Sequence, residues 1–322
     1  MHFLVTGASG LVGGRTVDYI LSLGGHSVLA TDIRPRPDDA KPLPTGSQFF
    51  QADLTLVKEV DALYDASERP IDGVIHMGAI PNPINIDARL CHNINVTAGY
   101  NMMYTAASRG IKRIVQASSV NATGLSYSDS ERRAKNFREL EFGLPLKEDE
   151  TPFLPEDAYS LSKYISEIQS DALCRLFPNL RIASLRFHHV CDEKFAVERS
   201  THRDFWSWTE TESAARACFL GITAEEEGFL RGHEAFFITC DHLNVGDAMK
   251  ELAWDRGKSE GEVQIYEKLK EVEFDKIGTK DLVEAAYAGV KIKDGWLVKP
   301  DDRRGLFDNS KAARLLGWKH DV

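Results

Sequence analysis

The sequence predicts an α/β fold, a doubly wound parallel sheet with a smaller C-terminal lobe. Short, continuous apolar runs alternate with segments of helical periodicity through the first half of the chain. The connections between them are short, and the first apolar run, residues 3–5, leads into a glycine-rich turn. Strands that are apolar along their whole length and separated by helices are typical of a parallel sheet covered on both faces.

Size and composition limit the classes of function. The 322 residues are enough for one large core and a smaller lobe, with 43% hydrophobic and 27% charged residues as in soluble globular proteins. The formal net charge of −10 argues against binding to nucleic acid or to an anionic membrane. The sequence shows neither a run long enough to span a membrane nor a signal peptide. We therefore expect a cytoplasmic protein.

The five cysteines are scattered and form no Cys-x-x-Cys pair. Such cysteines are typical of reduced, mostly buried thiols rather than of a disulfide framework or a zinc site. No cluster of His, Cys and Asp has the spacing of metal ligands, so we expect no metal.

The first turn carries the clearest binding signal. Residues 6–13 read TGASGLVG and lie between the first strand and an amphipathic helix. A strand, a glycine turn and a helix in this order present backbone N–H groups and a helix N-terminus to a pyrophosphate. Gly7 permits the tight turn, Gly10 lets the phosphates approach, and Gly13 lets the helix pack close to the strand.

A second strand, residues 27–31, ends in Asp32, about 20 residues beyond the glycines, where an acidic side chain meets the adenosine ribose hydroxyls. The Asp32 carboxylate would repel the 2′-phosphate of NADP and so favours NAD, although Arg34 weakens that preference. The sequence therefore predicts a dinucleotide site that takes NAD.

The other elements follow in order. Strands are expected at residues 48–52, 73–79, 113–119 and 181–187, and helices at residues 55–67, 87–109 and 158–177. The strand at 181–187 is expected to complete the sheet. A long polar insertion at residues 124–157 is typical of a lid or a binding loop.

After about residue 188 the regular alternation lapses, with a helix near 212–220 and a strand at 235–239. We expect a Rossmann-type dinucleotide-binding domain over residues 1–187. Residues 188–322 are expected to form mainly a substrate-binding lobe, from which some segments return to the first domain.

Residues 159–163, YSLSK, carry the clearest catalytic signal. Residues four apart share a helix face, so the Tyr159 phenol and the Lys163 ammonium point into the same space. A nearby cation favours the phenolate and lowers the tyrosine pKa, which gives a group suited to moving a hydroxyl proton. The strand at 113–119 ends in Ser118 and Ser119, at the sheet edge where parallel-sheet sites lie.

The glycine turn, the serine after the fifth strand and the Tyr-x-x-x-Lys on the next helix occur in that order and resemble the short-chain dehydrogenase/reductase superfamily. The glycine spacing of residues 6–13 and the chain length resemble its extended branch, the NAD-dependent epimerase/dehydratase family. Residues 308–318, DNSKAARLLGW, are similar to the family's closing helix motif. The resemblance covers the whole chain, more closely up to about residue 186.

The resemblance implies roles for individual residues. Tyr159 would be the general acid/base, Lys163 would tune it and hold the nicotinamide ribose, and Ser119 would orient the substrate oxygen. Hydride would pass between a substrate carbon and nicotinamide C4. The residues expected at the cofactor are Gly7, Gly10, Leu11, Val12, Gly13, Asp32, Asp53, Leu54, Ala79, Asn95, Tyr159, Lys163 and Phe187. Those expected at the substrate are Ser119, Asn121, His188 and His189.

The sequence departs from the pattern of sugar-nucleotide members after the sixth strand. Those members usually carry Arg-x-x-Asn followed by Gly-Pro, whereas residues 186–192 read RFHHVCD, with His189 at the asparagine position. Arg303 and Arg304 remain as late basic candidates for a diphosphate. The departure favours a free sugar, a uronic acid or a related hydroxy compound, as in uronate dehydrogenase-like members. His188 and His189 could line the pocket or pack at a strand end.

The sequence thus predicts an NAD-dependent oxidoreductase that moves a hydride to or from a secondary alcohol carbon of a sugar-like substrate. An epimerase would use the same residues and return the hydride to the opposite face, and it stays open as the alternative. A dehydratase usually carries Asp-Glu directly after its catalytic serine or threonine, where this chain has Val120 and Asn121. The intact Ser119, Tyr159 and Lys163 argue against a non-catalytic NAD-sensing protein. The family's four-helix dimer interface implies a homodimer.

Overall fold

The computed structural model describes residues 1–36, 40, 42–124, 140–151, 154–192, 205–225, 229, 232–243, 277–297, 299 and 302–320. The charged part of the predicted insertion, residues 125–139, lies outside the described residues. Its expected role as a lid therefore stays a prediction.

One seven-stranded parallel sheet dominates the described part of the chain. Its strands in chain order are β1 (His2–Thr6), β2 (Ser27–Asp32), β3 (Gln48–Gln51), β4 (Gly73–His76), β5 (Arg113–Ser119), β6 (Arg181–Phe187) and β9 (His233–Ile238), and β7 (Val190–Cys191) pairs separately with β8 (Thr209–Glu210). The spatial order is β3-β2-β1-β4-β5-β6-β9, with every neighbouring pair parallel. The order reverses direction between β1 and β4, and this confirms the predicted doubly wound, Rossmann-type sheet.

Helices cover both faces of the sheet. They are α1 (Leu11–Ser22), α2 (Val57–Asp65), α3 (Ala88–Ser108), α4 (Ala158–Leu176), α5 (Thr211–Thr223), α6 (Thr279–Ala286) and α7 (Ser310–Leu316). Apolar side chains of α1, α5 and α7 pack on one face, and those of α2, α3 and α4 pack on the other. Every residue of β1, β2, β4 and β6 is buried, which is why these segments do not show the alternation of apolar and polar residues of a strand with one exposed face.

The expectation that residues 181–187 complete the sheet was wrong. The strand β9 pairs with β6 from Ile182↔His233 to Phe187↔Ile238 and forms the outer strand of the sheet. The intervening α5 packs against α1, so the segment after Phe187 crosses the sheet face and returns. Strand pairing over this distance along the chain leaves no local signal in the sequence.

The strand predicted at 73–79 is shorter than expected and ends at His76. The Oγ1 atom of Thr6 accepts hydrogen bonds from the backbone N–H groups of Met77 (3.1 Å) and Gly78 (2.9 Å). These two amides therefore donate to the side chain that precedes the glycine turn and not to a neighbouring strand, and β4 ends before them.

A second apolar cluster lies beyond the sheet. It includes Leu144, Trp206, Leu282, Tyr287 and Phe307 and meets the sheet at Val120 and Phe237. The predicted domain boundary at residue 188 stays a prediction, although α5 and β9 belong structurally to the sheet layer.

None of the helices in the described ranges combines the length and apolar character needed to cross a bilayer. All five cysteines are free and buried.

Candidate active site

The glycine turn forms a close-packed cradle at the carboxyl end of β1. Gly7 has φ +67°, and a Cβ on Gly13 would lie 2.2 Å from the Gly7 carbonyl oxygen. Gly10 is the N-cap of α1 and provides no side-chain cap, so the first-turn amides of Leu11, Val12 and Gly13 have no partner from a capping side chain. A pyrophosphate needs such amides at close backbone approach, and the cradle fits it.

Asp32 lies at the end of β2, buried beside this cradle. Its Oδ2 accepts a hydrogen bond from the Ser9 N–H (3.0 Å), and its Oδ1 accepts from the backbone N–H (3.0 Å) and Nε (3.2 Å) of Arg34. Burial raises the pKa of Asp32, but the hydrogen bonds from Arg34 and Ser9 outweigh burial and hold the pKa below its usual value. The carboxylate is therefore ionised and can accept from ribose hydroxyls.

Asp53 and Leu54 follow β3. The Asp53 Oδ1 accepts from the backbone N–H (2.9 Å) and the hydroxyl (2.7 Å) of Thr55. The Leu54 carbonyl accepts from the Asn101 amide at 3.0 Å. Both residues lie in a turn at the expected edge of the sheet, and their contact with the cofactor stays a prediction.

Asn95 connects the loop after β4 to α4. Its Oδ1 accepts from the Ile80 N–H (2.7 Å), and its Nδ2 donates to the Ile80 carbonyl (3.1 Å) and to the Ser162 hydroxyl (3.0 Å). Ala79, expected at the cofactor, immediately precedes Ile80, so the hydrogen bonds of Asn95 to Ile80 also restrain the position of Ala79. The geometry gives Asn95 a positioning task, and its direct contact with the cofactor stays a prediction.

Tyr159 and Lys163 lie in the first turns of α4, which begins after the N-cap Asp157. Both side chains are buried, and the Lys163 Nζ lies 5.7 Å from the centre of the Tyr159 ring. Lys163 also donates a 2.7 Å hydrogen bond to the Ala117 carbonyl in β5. Burial lowers the pKa of Lys163 to about 8. The expected shared helix face is present, with the cation fixed close to the phenol.

Ser118 and Ser119 end β5 and have different partners. The Ser118 hydroxyl donates to the Glu167 Oε1 at 2.5 Å, whereas the Ser119 Oγ accepts from the Asn121 N–H at 3.2 Å and caps a short 3-10 helix, Val120–Thr123. The side chains of successive residues in a strand point to opposite faces of the sheet, so the two serine hydroxyls lie on different faces. Ser119 pairs in register with Phe187 at the end of β6. This arrangement supports the choice of Ser119, whose role stays a prediction.

A buried ionic network below Ser118 was not predicted from the sequence. Arg186 donates to both carboxylate oxygens of Glu167 (2.9 and 2.8 Å) and to the Glu148 carbonyl (3.1 Å). Burial opposes ionisation of Glu167, but the charge of Arg186 and the hydrogen bonds outweigh it and lower the pKa. Two sequence signals pointed to this network: Glu167 lies four residues after Lys163, and Arg186 interrupts an apolar strand.

His76 is a buried core histidine, as its position in the strand indicated. Its Nδ1 lies 2.8 Å from the Thr6 Oγ1, the same oxygen that holds Met77 and Gly78. Burial lowers the pKa of His76 to about 3, with a further contribution from the charge of Lys163. The ring is therefore neutral and helps to fix the start of the glycine turn.

The two adjacent histidines have different environments. His188 is buried, its Nδ1 accepts from the His189 N–H (2.7 Å), and its Nε2 has no partner among the described residues. Its ring lies 6.2 Å from Phe205 and 5.9 Å from Phe307, and burial lowers its pKa to about 3. His189 is exposed. Substrate contacts by either histidine stay predictions.

No group of three His, Cys, Asp or Glu side chains in the described ranges could hold a metal ion. Of the late arginines, Arg303 donates to the Ile277 carbonyl at 3.1 Å. Arg304 lines a cavity of about 470 Å³ with Trp318 and Lys319. Ser119, Tyr159 and Lys163 do not line this cavity.

Comparison with known proteins supports the fold and the family. A model of the NAD dependent epimerase/dehydratase family matches residues 3–207. No curated protein matches the chain.

Three solved structures are similar in fold. UDP-glucose 4-epimerase from Thermotoga maritima has a TM-score of 0.62 at 18% identity, over 100% of this chain and 94% of that one. MoeE5, solved with UDP-glucuronic acid and NAD, has a TM-score of 0.62 at 23% identity over the same shares. A mutated uronate dehydrogenase has a TM-score of 0.58 at 21% identity, over 90% of this chain and 92% of that one.

Proposed function

The chain belongs to the NAD-dependent epimerase/dehydratase family, and from that premise we propose that it is a dehydrogenase of a sugar-like substrate. As a member of this family it is an enzyme, and its cofactor is NAD. The proposed reaction moves a hydride to or from a secondary alcohol carbon of a free sugar, a uronic acid or a related small hydroxy compound.

The placement of Tyr159 and Lys163 is the observation that carries the proposal. The ammonium lies 5.7 Å from the phenol ring centre and is held by the Ala117 carbonyl, two residues before Ser119. The pair therefore lies next to the carboxyl end of β5, where sites of parallel sheets form. A phenol beside a fixed cation is suited to exchange a proton with an alcohol.

In the proposed oxidation, the Tyr159 phenolate takes the proton of the substrate hydroxyl. The positive charge of Lys163 stabilises the phenolate before this transfer, and the Ser119 hydroxyl donates a hydrogen bond to the reacting oxygen. Bound NAD supplies the acceptor for the hydride that leaves the carbon. In the reverse direction the Tyr159 phenol returns the proton to the alkoxide oxygen.

The glycine cradle and Asp32 are the residues that would hold the cofactor. The uncapped amides of Leu11, Val12 and Gly13 would bind the pyrophosphate, and the Asp32 carboxylate would accept from the adenosine ribose hydroxyls. Lys163 would in addition bind the nicotinamide ribose.

Two observations support a small substrate rather than a sugar nucleotide. His189 occupies the position of the asparagine of sugar-nucleotide members, and the Gly-Pro that follows it there is missing. Arg303 is engaged with a backbone carbonyl, and Arg304 lines a cavity that Tyr159 does not share.

We also propose a homodimer through α3 and α4. These helices pack on each other and carry exposed apolar side chains, among them Tyr100, Tyr104 and Ile168. The rings of Tyr100 and Tyr104 stack at 5.7 Å on this surface. With a chain mass of 36.0 kDa, light scattering should give twice that value, and a monomer mass would contradict the proposal. Residence in the cytoplasm stays a prediction from the sequence.

The test of the reaction is NADH fluorescence with NAD and a panel of free sugars, uronic acids and sugar nucleotides, with chromatography of each mixture for isomers. Net NADH with a free sugar or a uronic acid would support the dehydrogenase. An isomerised sugar without NADH would instead identify an epimerase.

The variant Tyr159→Phe should lower turnover by about 10²–10⁴-fold, the usual contribution of a general acid/base. Tyr164→Phe, five residues further along α4, is the matched control and should stay active. Full turnover by Tyr159→Phe would overturn the catalytic assignment.

A further inference from the structure

Asp32 and Arg34 form an ion pair at the position where the adenosine ribose would lie. The Arg34 Nε lies 3.2 Å from the Asp32 Oδ1, and the Arg34 backbone N–H donates to the same oxygen at 3.0 Å. The other carboxylate oxygen is held by the Ser9 N–H at the edge of the glycine cradle. The guanidinium is therefore next to any group that Asp32 binds.

The two members of this pair differ in exposure. The Asp32 side chain is 7% exposed, and the Arg34 side chain is 62% exposed. The terminal nitrogens of Arg34 have no hydrogen-bond partner among the described residues. The positive charge of Arg34 thus offsets the negative charge of the ionised carboxylate, while its terminal N–H groups remain available to a ligand.

A ribose 2′-phosphate would therefore meet an ion pair rather than a single negative charge. A lone carboxylate at this position repels a 2′-phosphate, and an arginine nearby accommodates it. The guanidinium presents its donors in a planar fork that matches phosphate oxygens, so the attraction is directional as well as coulombic.

We propose that the site binds NADP as well as NAD, and that Arg34 is the residue that admits the 2′-phosphate. NAD remains the tighter ligand, because Asp32 keeps its charge and the Ser9 hydrogen bond and still accepts from ribose hydroxyls. The proposal rests on the dinucleotide site alone and does not depend on the substrate or on the direction of the reaction.

The chain contains a matched control at the start of α3. Asp87 and Arg89 repeat the same Asp-x-Arg pairing, with the Arg89 backbone N–H (2.9 Å) and Nε (3.0 Å) both on the Asp87 Oδ1. Removing Arg89 therefore removes an ion pair of the same sequence spacing, at an exposed position that is not among the residues expected at the cofactor.

The test is calorimetric titration of the purified protein with NAD⁺ and NADP⁺, and with ADP and 2′,5′-ADP as probes of the adenosine half alone. Wild type should bind both dinucleotides. Arg34→Ala should weaken NADP⁺ and 2′,5′-ADP by about tenfold, the loss of one charge-assisted hydrogen bond, and leave NAD⁺ and ADP nearly unchanged. Asp32→Asn should shift the preference towards NADP⁺, and Arg89→Ala should alter none of the affinities.

The proposal is overturned if wild type binds NAD⁺ but not NADP⁺, or if Arg34→Ala weakens both dinucleotides equally. Binding of both dinucleotides without turnover of any sugar-like substrate would overturn the proposed reaction and leave this inference standing. Turnover of a sugar-like substrate with NAD⁺ by a protein that does not bind NADP⁺ would do the reverse.

Discussion

The ammonium group of Lys163 donates a 2.7 Å hydrogen bond to the carbonyl oxygen of Ala117, which joins the second turn of α4 to β5. Because Ala117 lies two residues before Ser119, this bond fixes the positions of the proposed base and of the serine relative to each other. The Ala117 carbonyl is a neutral partner for the buried ammonium, and burial lowers the pKa of Lys163 to about 8.

The lowered pKa of Lys163 predicts how stability changes with pH. Between the folded value near 8 and the ordinary unfolded value near 10.5, the unfolded chain binds more protons, so stability rises with pH. Wild-type protein without cofactor should gain roughly 2 kcal/mol relative to Lys163→Met from about pH 7 to about pH 10. Urea unfolding measures this gain. The exposed Lys58→Met is the control, and equal pH dependence of the two variants would contradict the prediction.

The pairing of Glu167 with Arg186 predicts strong non-additivity. Removing either partner alone leaves an uncompensated buried charge and should cost about 3–5 kcal/mol of unfolding free energy. The double variant Glu167→Gln with Arg186→Met should cost clearly less than the sum of the two, because neither charge is then left alone. Denaturant unfolding of all four proteins gives the coupling energy.

The exposed pair of Arg109 with Asp65 is the control for this cycle. Its coupling should not exceed about 1 kcal/mol, because water screens exposed charges. A Glu167–Arg186 coupling as small as that of the control would show that the buried pair does not hold the network together.

The features that sequence predicted correctly are local. The glycine turn and Tyr159-x-x-x-Lys163 depend on spacing within one turn or one helix, and they lie in the elements expected for them, while their roles stay predictions. The seventh strand, β9, and the Arg186–Glu167 pair depend on contacts between distant segments. The family resemblance already selected Ser119 over Ser118, and the structure adds that the Ser118 hydroxyl donates to Glu167. The two histidines after β6 looked equivalent in sequence, and only packing separates the buried His188 from the exposed His189.

The three hydrogen bonds of Asn95 predict a loss of both stability and cofactor affinity on truncation. Asn95→Ala leaves the half-buried backbone groups of Ile80 and the buried hydroxyl of Ser162 without this partner and should cost about 1–3 kcal/mol of unfolding free energy. It should also weaken NAD binding, since the loop with Ala79 is no longer tied to α4. Unfolding and NAD titration measure the two effects. The variant Asn93→Ala, at an exposed position two residues earlier, should change neither quantity. An unchanged NAD affinity in Asn95→Ala would show that the hydrogen bonds of Asn95 do not position the cofactor site.

The close packing of the glycine turn can be tested by an alanine substitution at Gly13, with the same substitution at Gly99 as the control. A Cβ on Gly13 would lie 2.2 Å from the Gly7 carbonyl oxygen and 2.6 Å from its carbonyl carbon, so backbone must move and the turn must open. Gly13→Ala should therefore destabilise the protein and abolish measurable NAD binding. A Cβ on Gly99, in α3, would meet its nearest atoms only at 3.8 Å.

Gly99→Ala should consequently fit and raise stability by about 0.5–1 kcal/mol, because alanine loses less backbone entropy in a helix. NAD titration and denaturant unfolding of the two variants give the comparison. Each glycine lies in a helix and is changed to the same residue, so a difference between the variants reports the contact with Gly7 and not helix propensity. If Gly13→Ala bound NAD as tightly as Gly99→Ala does, the phosphates would have to be held elsewhere than at the start of α1.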